Sequence, residues 1–373
     1  MELMLASSFG DIMTYVFYIF LALLVLLIMI TVHEFGHYVA GKIFKFGIEE
    51  FSIGFGPKLI SKKKGNGEVF SLRLIPLGGF CAFKGEDSDD TDPSAFNNKK
   101  PWQRIIVLIS GAFMNYLLAV LIIIVMFGVY GNSAIMPYKI VDNPAVSQEY
   151  SFLSKDVILK ADGKNVYTIT DLMSAVEGKE EGEKVPFEVI RNGKAVAVQI
   201  VMRAHTNFKN VEEISRLYDA LGIYYELDDK GAITNPGLYA TGIKYGFFDT
   251  IGRSFEYSFK TAGMIFTVLR QLLTGQLGLG AMGGTITTIT ATAEAISIGG
   301  FRYLLNIASF IGVNLAVFNL LPFPALDGSR VVFTGIEWIR RKPISRKVEG
   351  IIHTVGLVLL LAFAILVDVQ QCF

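Results

Sequence analysis

Cysteine is nearly missing from these 373 residues: Cys81 and Cys372 are the only two. That rules out a disulfide framework and a thiolate metal site, so any metal ligand has to be histidine or carboxylate. Histidine is almost as scarce, with four in the chain. A net charge is absent too, since 34 Lys and Arg offset 34 Asp and Glu, and no basic-aromatic stripe breaks the balance. Nucleic acid is therefore not expected as a partner. Only 18% of the residues are charged, whereas 52% are hydrophobic and the mean hydropathy is +0.47. Such a chain is too apolar for an ordinary soluble enzyme and too charged to lie wholly in lipid. It reads as a polytopic membrane protein with an aqueous domain.

Four apolar stretches, Ile12 to Val32, Ile105 to Tyr130, Leu304 to Leu321 and Ile351 to Val367, are each long enough to cross about 30 Å of hydrocarbon as a helix of about 20 residues. The first is longer than the apolar core of a signal peptide and is expected to be retained. Lys and Arg are absent from the first eleven residues but crowd the connection after His37, from Lys42 and Lys45 through Lys58 and Lys62 to Arg104. They crowd the third connection as well, at Arg330, Arg340, Arg341, Lys342, Arg346 and Lys347. The positive-inside rule makes both connections cytoplasmic and puts the two termini outside. The expected layout is a first span in 1–45, a hairpin region in 46–103 and a second span in 104–131. An aqueous domain in 137–204 and a linker in 205–300 follow, then a third span in 301–330, a cytoplasmic loop in 331–350 and a fourth span in 351–373.

The feature that asks for an explanation is His33-Glu34-Phe35-Gly36-His37, at the inner end of the first apolar run. Ionisable residues in a membrane span cost about 2.5 to 3.5 kcal/mol each for the charged types and are functional by default. On a helix, positions i and i+4 share a face, so His33 and His37 can hold one metal ion while Glu34 stays off it and reaches a bound water. That is the H-E-x-x-H pattern of zinc hydrolases. The bland alternative is a pair of polar decorations bonded to neighbouring helices. Two histidines leave a zinc site one protein ligand short. Asp327, in Leu326-Asp327-Gly328 at the inner end of the third span, is the carboxylate at matching depth, and Pro322 and Pro324 would bend the chain to aim it. Taken alone it could be a polar cap at the membrane surface; the depth match favours a ligand.

Asn314 and Asn319 lie within hydrocarbon, where an amide needs partners, either on other helices or on the backbone of an unfolded substrate. Asn115 and His353 stand under the same choice, and the structural role is preferred for His353. Phe51 to Pro57 and Val69 to Ile75 read as two strands around a basic turn, either a plain cytoplasmic hairpin or one that dips into the membrane. The acidic stretch Glu86 to Asp92 reads as a solvated loop. Beyond Pro137 the composition turns soluble: strands Val157 to Ala161, Val185 to Ile190 and Ala195 to Val201, a helix Thr170 to Val176, and an Asn192-Gly193 turn suited to type I′. Gly242 to Leu273 is aromatic and basic and reads as interfacial, and the small residues Thr285 to Ser297 are expected to pack on the helices of the site.

Together these residues resemble the site-2 protease family of intramembrane zinc metalloproteases, in the bacterial regulator-of-sigma-E protease type. The likeness rests on H-E-F-G-H, on F-S-I-G-F-G at Phe51 to Gly56, on I-P-L-G-G at Ile75 to Gly79, on Asn115, and on N-L-x-x-x-N-L-x-P-x-P-x-L-D-G from Asn314 to Gly328. The resemblance implies Zn2+ held by His33, His37 and Asp327, with Glu34 activating water. It implies a membrane-re-entrant β-hairpin whose Gly54, Phe55 and Gly56 meet the substrate as an added strand, and substrate contacts from Asn314 and Asn319. It implies an extracytoplasmic PDZ-like α/β domain on a protein of four transmembrane helices in the bacterial inner membrane. The implied substrates are single-span membrane proteins, anti-sigma factors or signal-peptide remnants. The chain departs from the pattern at Phe152-Leu153 and Lys155-Asp156, where such PDZ domains carry Gly-Leu and Gly-Asp, which speaks for a size filter over capture of a peptide terminus. Gly111-Ala112 and Met282-Gly283-Gly284-Thr285 replace two Gly-Pro pairs. Two other possibilities stand beside it: a non-catalytic membrane adaptor with a structural metal, and a membrane zinc peptidase of another architecture whose third ligand is a glutamate, Glu294 being the nearest candidate and on the wrong side.

Overall fold

The computed structural model describes residues 9–86, 90–142, 150–208, 214–229, 233–276 and 285–372. In chain order the elements are α1 (Phe9–Ile43), β1 (Ile48–Lys63), β2 (Val69–Phe83), α2 (Pro101–Tyr130), β3 (Asn132–Pro137), β4 (Val157–Ala161), β5 (Lys164–Asn165) and α3 (Ile169–Val176). Then come β6 (Lys184–Arg191), β7 (Lys194–Val201), α4 (Ile214–Leu221), β8 (Glu226–Leu227), β9 (Ile233–Asn235) and β10 (Leu238–Ile243). Four helices close the chain: α5 (Phe247–Leu273), α6 (Thr285–Asn319), α7 (Asp327–Arg340) and α8 (Arg346–Cys372). Two units emerge, one from residues 1–123, 258–270 and 278–373, the other from 124–257 and 271–277.

In the first unit, four helical segments among the described residues are long and apolar enough to cross a membrane: Met13–Ile43, Pro101–Tyr130, Gly299–Asn319 and Lys347–Val369. They coincide with the four expected spans, and the protein is a multi-pass membrane protein. Met13, Val16, Phe17, Phe20 and Leu24 of α1 are exposed while Ala22 and Met29 are buried. A helix apolar on every side suits lipid, because no face has to avoid it. The small-residue segment before the third span is helical and joined to it through a kink at Gly300, whose φ of 59° only glycine adopts without strain.

The third span stops earlier than the sequence suggests. It ends at Asn319 rather than 330, because Pro322 and Pro324 offer no N–H to continue the helical ladder. A fresh helix, α7, starts at Asp327 and runs to Arg340, taking the first half of the segment 331–350 expected to be loop. Buried Arg104, at the start of α2, donates to Glu337 of α7 at 2.6 Å and ties the two helices together. The base of the hairpin is packed by Phe46, Phe83 and Phe96, with ring centroids 5.4 to 5.6 Å apart, against Val107 and Leu108 of α2.

The hairpin itself doubles back. Phe51 pairs with Phe70 on one side and with Cys81 on the other, so residues 50–53 run between 69–72 and 79–82. The bend is at Gly54-Phe55-Gly56, where the glycines have φ of 87° and 83°, values that a side chain would strain. In the expected acidic loop, Asp90 and Asp92 pair with Lys84, while residues 87–89 lie outside the described residues. Residues 277–284 of the glycine-rich stretch lie outside them as well.

The second unit is a sheet ordered β10-β3-β4-β6-β7 with β5 on β4. Its core is Ile158, Leu172, Val176, Val185, Phe187 and Leu217, contributed by the sheet and by α3 and α4. The Asn192-Gly193 turn has φ of 52° and 76°, both positive as a type I′ turn needs. Asp156, in the place of the expected Gly-Asp pair, takes two bonds from Arg191 at 2.9 and 2.7 Å and one from the Leu153 N–H at 2.9 Å, which fixes the Phe152-Leu153 turn. The segment expected to be a linker contributes α4, β8, β9, β10 and α5. Among the described residues α5 is not a candidate span.

Candidate metal centre

Helical spacing puts His33 and His37 on one face of α1, and α7 brings Asp327 to them. His33 Nε2 is 3.0 Å from Asp327 Oδ2, His37 Nε2 is 3.3 Å from the same oxygen, and the two Nε2 atoms are 3.1 Å apart. His37 Nδ1–H donates to the Val107 carbonyl at 2.8 Å. That commits the proton of a neutral ring to Nδ1 and leaves the Nε2 lone pair facing a carboxylate oxygen, an arrangement that is repulsive unless a cation lies between. An ion held tetrahedrally at 2.0 to 2.2 Å spaces its ligands about 3.3 to 3.6 Å apart, a few tenths of an ångström wider than this triangle. Two imidazoles and one carboxylate form the donor set of a catalytic zinc site, with the fourth position left for water or substrate. The residues therefore fit the metal that the H-E-x-x-H pattern implies. Glu294 is exposed and outside the cluster, so Asp327 completes it.

The floor of the cluster is built from missing side chains. A β-carbon on Gly111 would stand 2.5 Å from His37 Nε2 and 2.8 Å from His33 Cε1, and one on Gly36 would run into the Ser110 carbonyl. Thus α1 and α2 cross in backbone contact directly under the imidazoles. Gly111, noted in the sequence only as half of an altered pair, is a site residue for that reason.

Glu34 borders two cavities. One of about 490 Å³ is also lined by His37, Phe80, Cys81, Glu86 and Arg330. The other, of about 230 Å³, is lined by His33, Asn115, Leu315, Asn319 and Asp327 as well as Glu34. A β-carbon built on Gly79 would lie 3.4 Å from the Glu34 side chain, so β2 reaches the centre. Asn319 thus stands at the site, whereas Asn314 lines neither cavity. Gly54, Phe55 and Gly56 line neither one; Phe55 stacks on Phe80, which lines the larger cavity, with ring centroids 6.4 Å apart. Asn115 is fully buried, and neither its amide nitrogen nor its oxygen has a partner among the described residues. Its sequence signals were a lone asparagine in an apolar span and its place in the family resemblance.

A multi-pass membrane protein in which two histidines of an apolar span meet an aspartate at the start of a following helix is a membrane metallopeptidase by fold and site. The chain belongs to peptidase family M50, whose model matches residues 21–363. It is 36% identical over 358 residues to a Clostridium perfringens protein provisionally named a zinc metalloprotease, covering 95% of this chain and 98% of that one. A Clostridium acetobutylicum protein with the same provisional description is 30% identical over 355 residues, covering 95% and 97%. One from Brucella suis is 28% identical over 382 residues, covering 97% of each.

Proposed function

We propose that the protein is a zinc-dependent intramembrane endopeptidase that cuts single-span membrane proteins, of the anti-sigma-factor or signal-peptide-remnant kind, inside the bilayer of a bacterial inner membrane. The observation that carries this is the triangle of His33 Nε2, His37 Nε2 and Asp327 Oδ2, with sides of 3.0 to 3.3 Å, the histidines on the apolar span α1 and the aspartate at the start of α7. The three residues hold zinc, in keeping with the provisional names of the relatives. When bound, zinc polarises the scissile carbonyl and makes water acidic enough to lose a proton near neutral pH. Glu34 accepts that proton as the new carbon–oxygen bond forms. It returns a proton to the amide nitrogen as the carbon–nitrogen bond breaks, leaving an acid and an amine. Membership of a peptidase family weighs against the adaptor alternative.

A helical scissile segment shields its own backbone, so the substrate has to be held extended. The doubled-back hairpin serves as the re-entrant element: Leu59, Ile60, Leu74 and Ile75 are apolar and exposed on it, as an element dipping into lipid requires. It takes the substrate as an added strand, with Gly54, Phe55 and Gly56 at its bend. Asn319, with Asn115 beside it in the smaller cavity, supplies amides for the substrate backbone, and Asn314 supports them from the same helix. The sheet with α3, from 137–204, is the PDZ-like domain, and the charge distribution puts it and both termini outside the cytoplasm. Its anchored Phe152-Leu153 turn suits a size filter. Glu34→Gln in the purified full chain is expected to keep zinc and fold and to give no products from a model single-span substrate by mass spectrometry. Normal turnover by that variant overturns the mechanism, and unchanged zinc content in Asp327→Ala removes Asp327 from the ligand set.

A further inference from the structure

Asp327 reaches the centre at the end of a turn with few backbone hydrogen bonds of its own. Between the end of α6 and Asp327, the segment 322–326 has three N–H groups, on Phe323, Ala325 and Leu326, because Pro322 and Pro324 have none. Phe323 donates locally to the Leu321 carbonyl at 2.7 Å, and Leu326 to the Phe323 carbonyl at 3.1 Å. The third, on Ala325, crosses to α8 and donates to His353 Nδ1 at 3.1 Å. Ala325 has a φ of 78°, a left-handed backbone that an alanine does not adopt unaided. It is the pivot that turns the chain from α6 into α7, two residues before Asp327. One helical turn beyond His353, a β-carbon on Gly356 would overlap Pro324, so α8 lies against the same turn at backbone distance. The ring of His353 is itself held edge-on by Phe333 of α7, with centroids 5.7 Å apart.

We infer that His353, on the fourth span, is a positioning residue for the metal centre: its Nδ1 holds the left-handed backbone of Ala325 and thereby fixes where Asp327 presents its carboxylate. The inference rests on Asp327 being a zinc ligand, as proposed above. His353 lines the same cavity of about 490 Å³ as Glu34, His37 and Asp327, but it is not one of the three clustered ligand residues and its Nδ1 is taken by the Ala325 N–H. Its part is played by accepting one hydrogen bond, so the effect of replacing it depends on whether the new side chain can accept at that point.

Three variants of the full chain in detergent test this: His353→Phe, which keeps a ring beside Phe333 but has no acceptor; His353→Asn, whose Oδ1 can stand in for Nδ1; and Asp327→Ala. Zinc affinity is read by competition with a chromophoric chelator. Hydrogen exchange of peptides covering 322–328 is read in metal-free protein, where it reports on the turn without activity. Groups that orient a ligand are typically worth 10- to 100-fold in metal affinity. His353→Phe is expected to weaken zinc binding by about that factor, to speed exchange of the 322–328 peptides about tenfold or more, and to lower kcat with KM unchanged. His353→Asn is expected to restore all three. Wild-type zinc affinity and exchange in His353→Phe overturn the inference, and so does equal impairment of the Phe and Asn variants. Full zinc retention by Asp327→Ala overturns the ligand assignment instead, whatever the His353 variants do.

Discussion

Gly111→Ala adds one methyl group beneath two imidazoles, and the geometry says what it does. The new carbon would lie 2.5 and 2.6 Å from Nε2 and Cε1 of His37 and 2.8 Å from Cε1 of His33. Ordinary contacts between such atoms fall at about 3.5 to 4.0 Å, so something has to move by about 1 Å. The helices cannot simply part, because Gly36 of α1 already meets Ser110 and Gly111 backbone to backbone and their separation would open the crossing. The His37 ring is held from its far side by Val107 at 2.8 Å. Metal ligation tolerates distance errors of about 0.2 Å, several times less than the required shift. The expected cost in stability is that of an overpacked core, about 1 to 3 kcal/mol, and the cost in rate that of a 1 Å misplacement, on the order of 100-fold in kcat. Zinc per protein, measured after dialysis by elemental analysis, should fall well below one. Gly128 on the same helix has nothing within 4 Å of its built β-carbon, so Gly128→Ala is the control and should keep both zinc and activity. Wild-type zinc content and turnover in Gly111→Ala would refute the reasoning.

Two further perturbations test what surrounds the centre. Arg104 and Glu337 form a buried pair at 2.6 Å, and Glu337 also accepts the Ile344 N–H at 3.0 Å; removing Arg104 alone should cost about 3 to 5 kcal/mol in a detergent unfolding titration, with the Arg104→Met, Glu337→Met double variant costing less. A single variant no less stable than wild type would contradict that. Burial raises the pKa of Glu50, but hydrogen bonds from Ser71, Arg73 and Lys58 outweigh it and hold the carboxyl at about 2, down from an ordinary 4.5. A depressed carboxylate stabilises the folded hairpin fully above its unfolded pKa and loses that contribution as pH falls from 4.5 towards 2. Protection of residues 48–83 in hydrogen exchange should therefore drop through that acid window in the wild type and show a flatter profile in Glu50→Gln, and identical profiles would exclude Glu50 as the source.

The parts of the site visible in the sequence were those set by short-range geometry. His33 and His37 could be paired because four residues on a helix make one face, and that holds whatever the rest of the chain does. Asp327 was reachable because charge asymmetry assigns a depth to the end of each apolar run. The break at Asn319 was half visible: the prolines marked it, but a helix beginning at Asp327 carries basic residues at Arg330 and Arg340 that read equally well as a loop. In the second unit the Asn192-Gly193 hairpin was legible locally. The pairing of β3 with β10, Ile135 opposite Ala240, joins residues about a hundred apart and leaves no periodic trace. The doubled hairpin had the same limit, since pairing Phe51 with both Phe70 and Cys81 is a choice of register and not of strand propensity.

The two kinds of ligand differ in what they need from the fold. His33 and His37 ride on one continuous helix, so a single bond to Val107 and one glycine crossing suffice to hold both rings. Asp327 comes 290 residues after His37, at the first turn of a short helix that follows two prolines, and no local regularity determines its place. It is held instead by tertiary contacts spread around it: Glu337 of the same helix to Arg104, Arg330 one turn on to Glu86, and Ala325 just before it to His353. These reach α2, the turn after β2 and α8 respectively. Loss of any one should shift the carboxylate without unfolding the histidine helix, so variants at these three places should lose zinc affinity while leaving the His33 and His37 geometry intact.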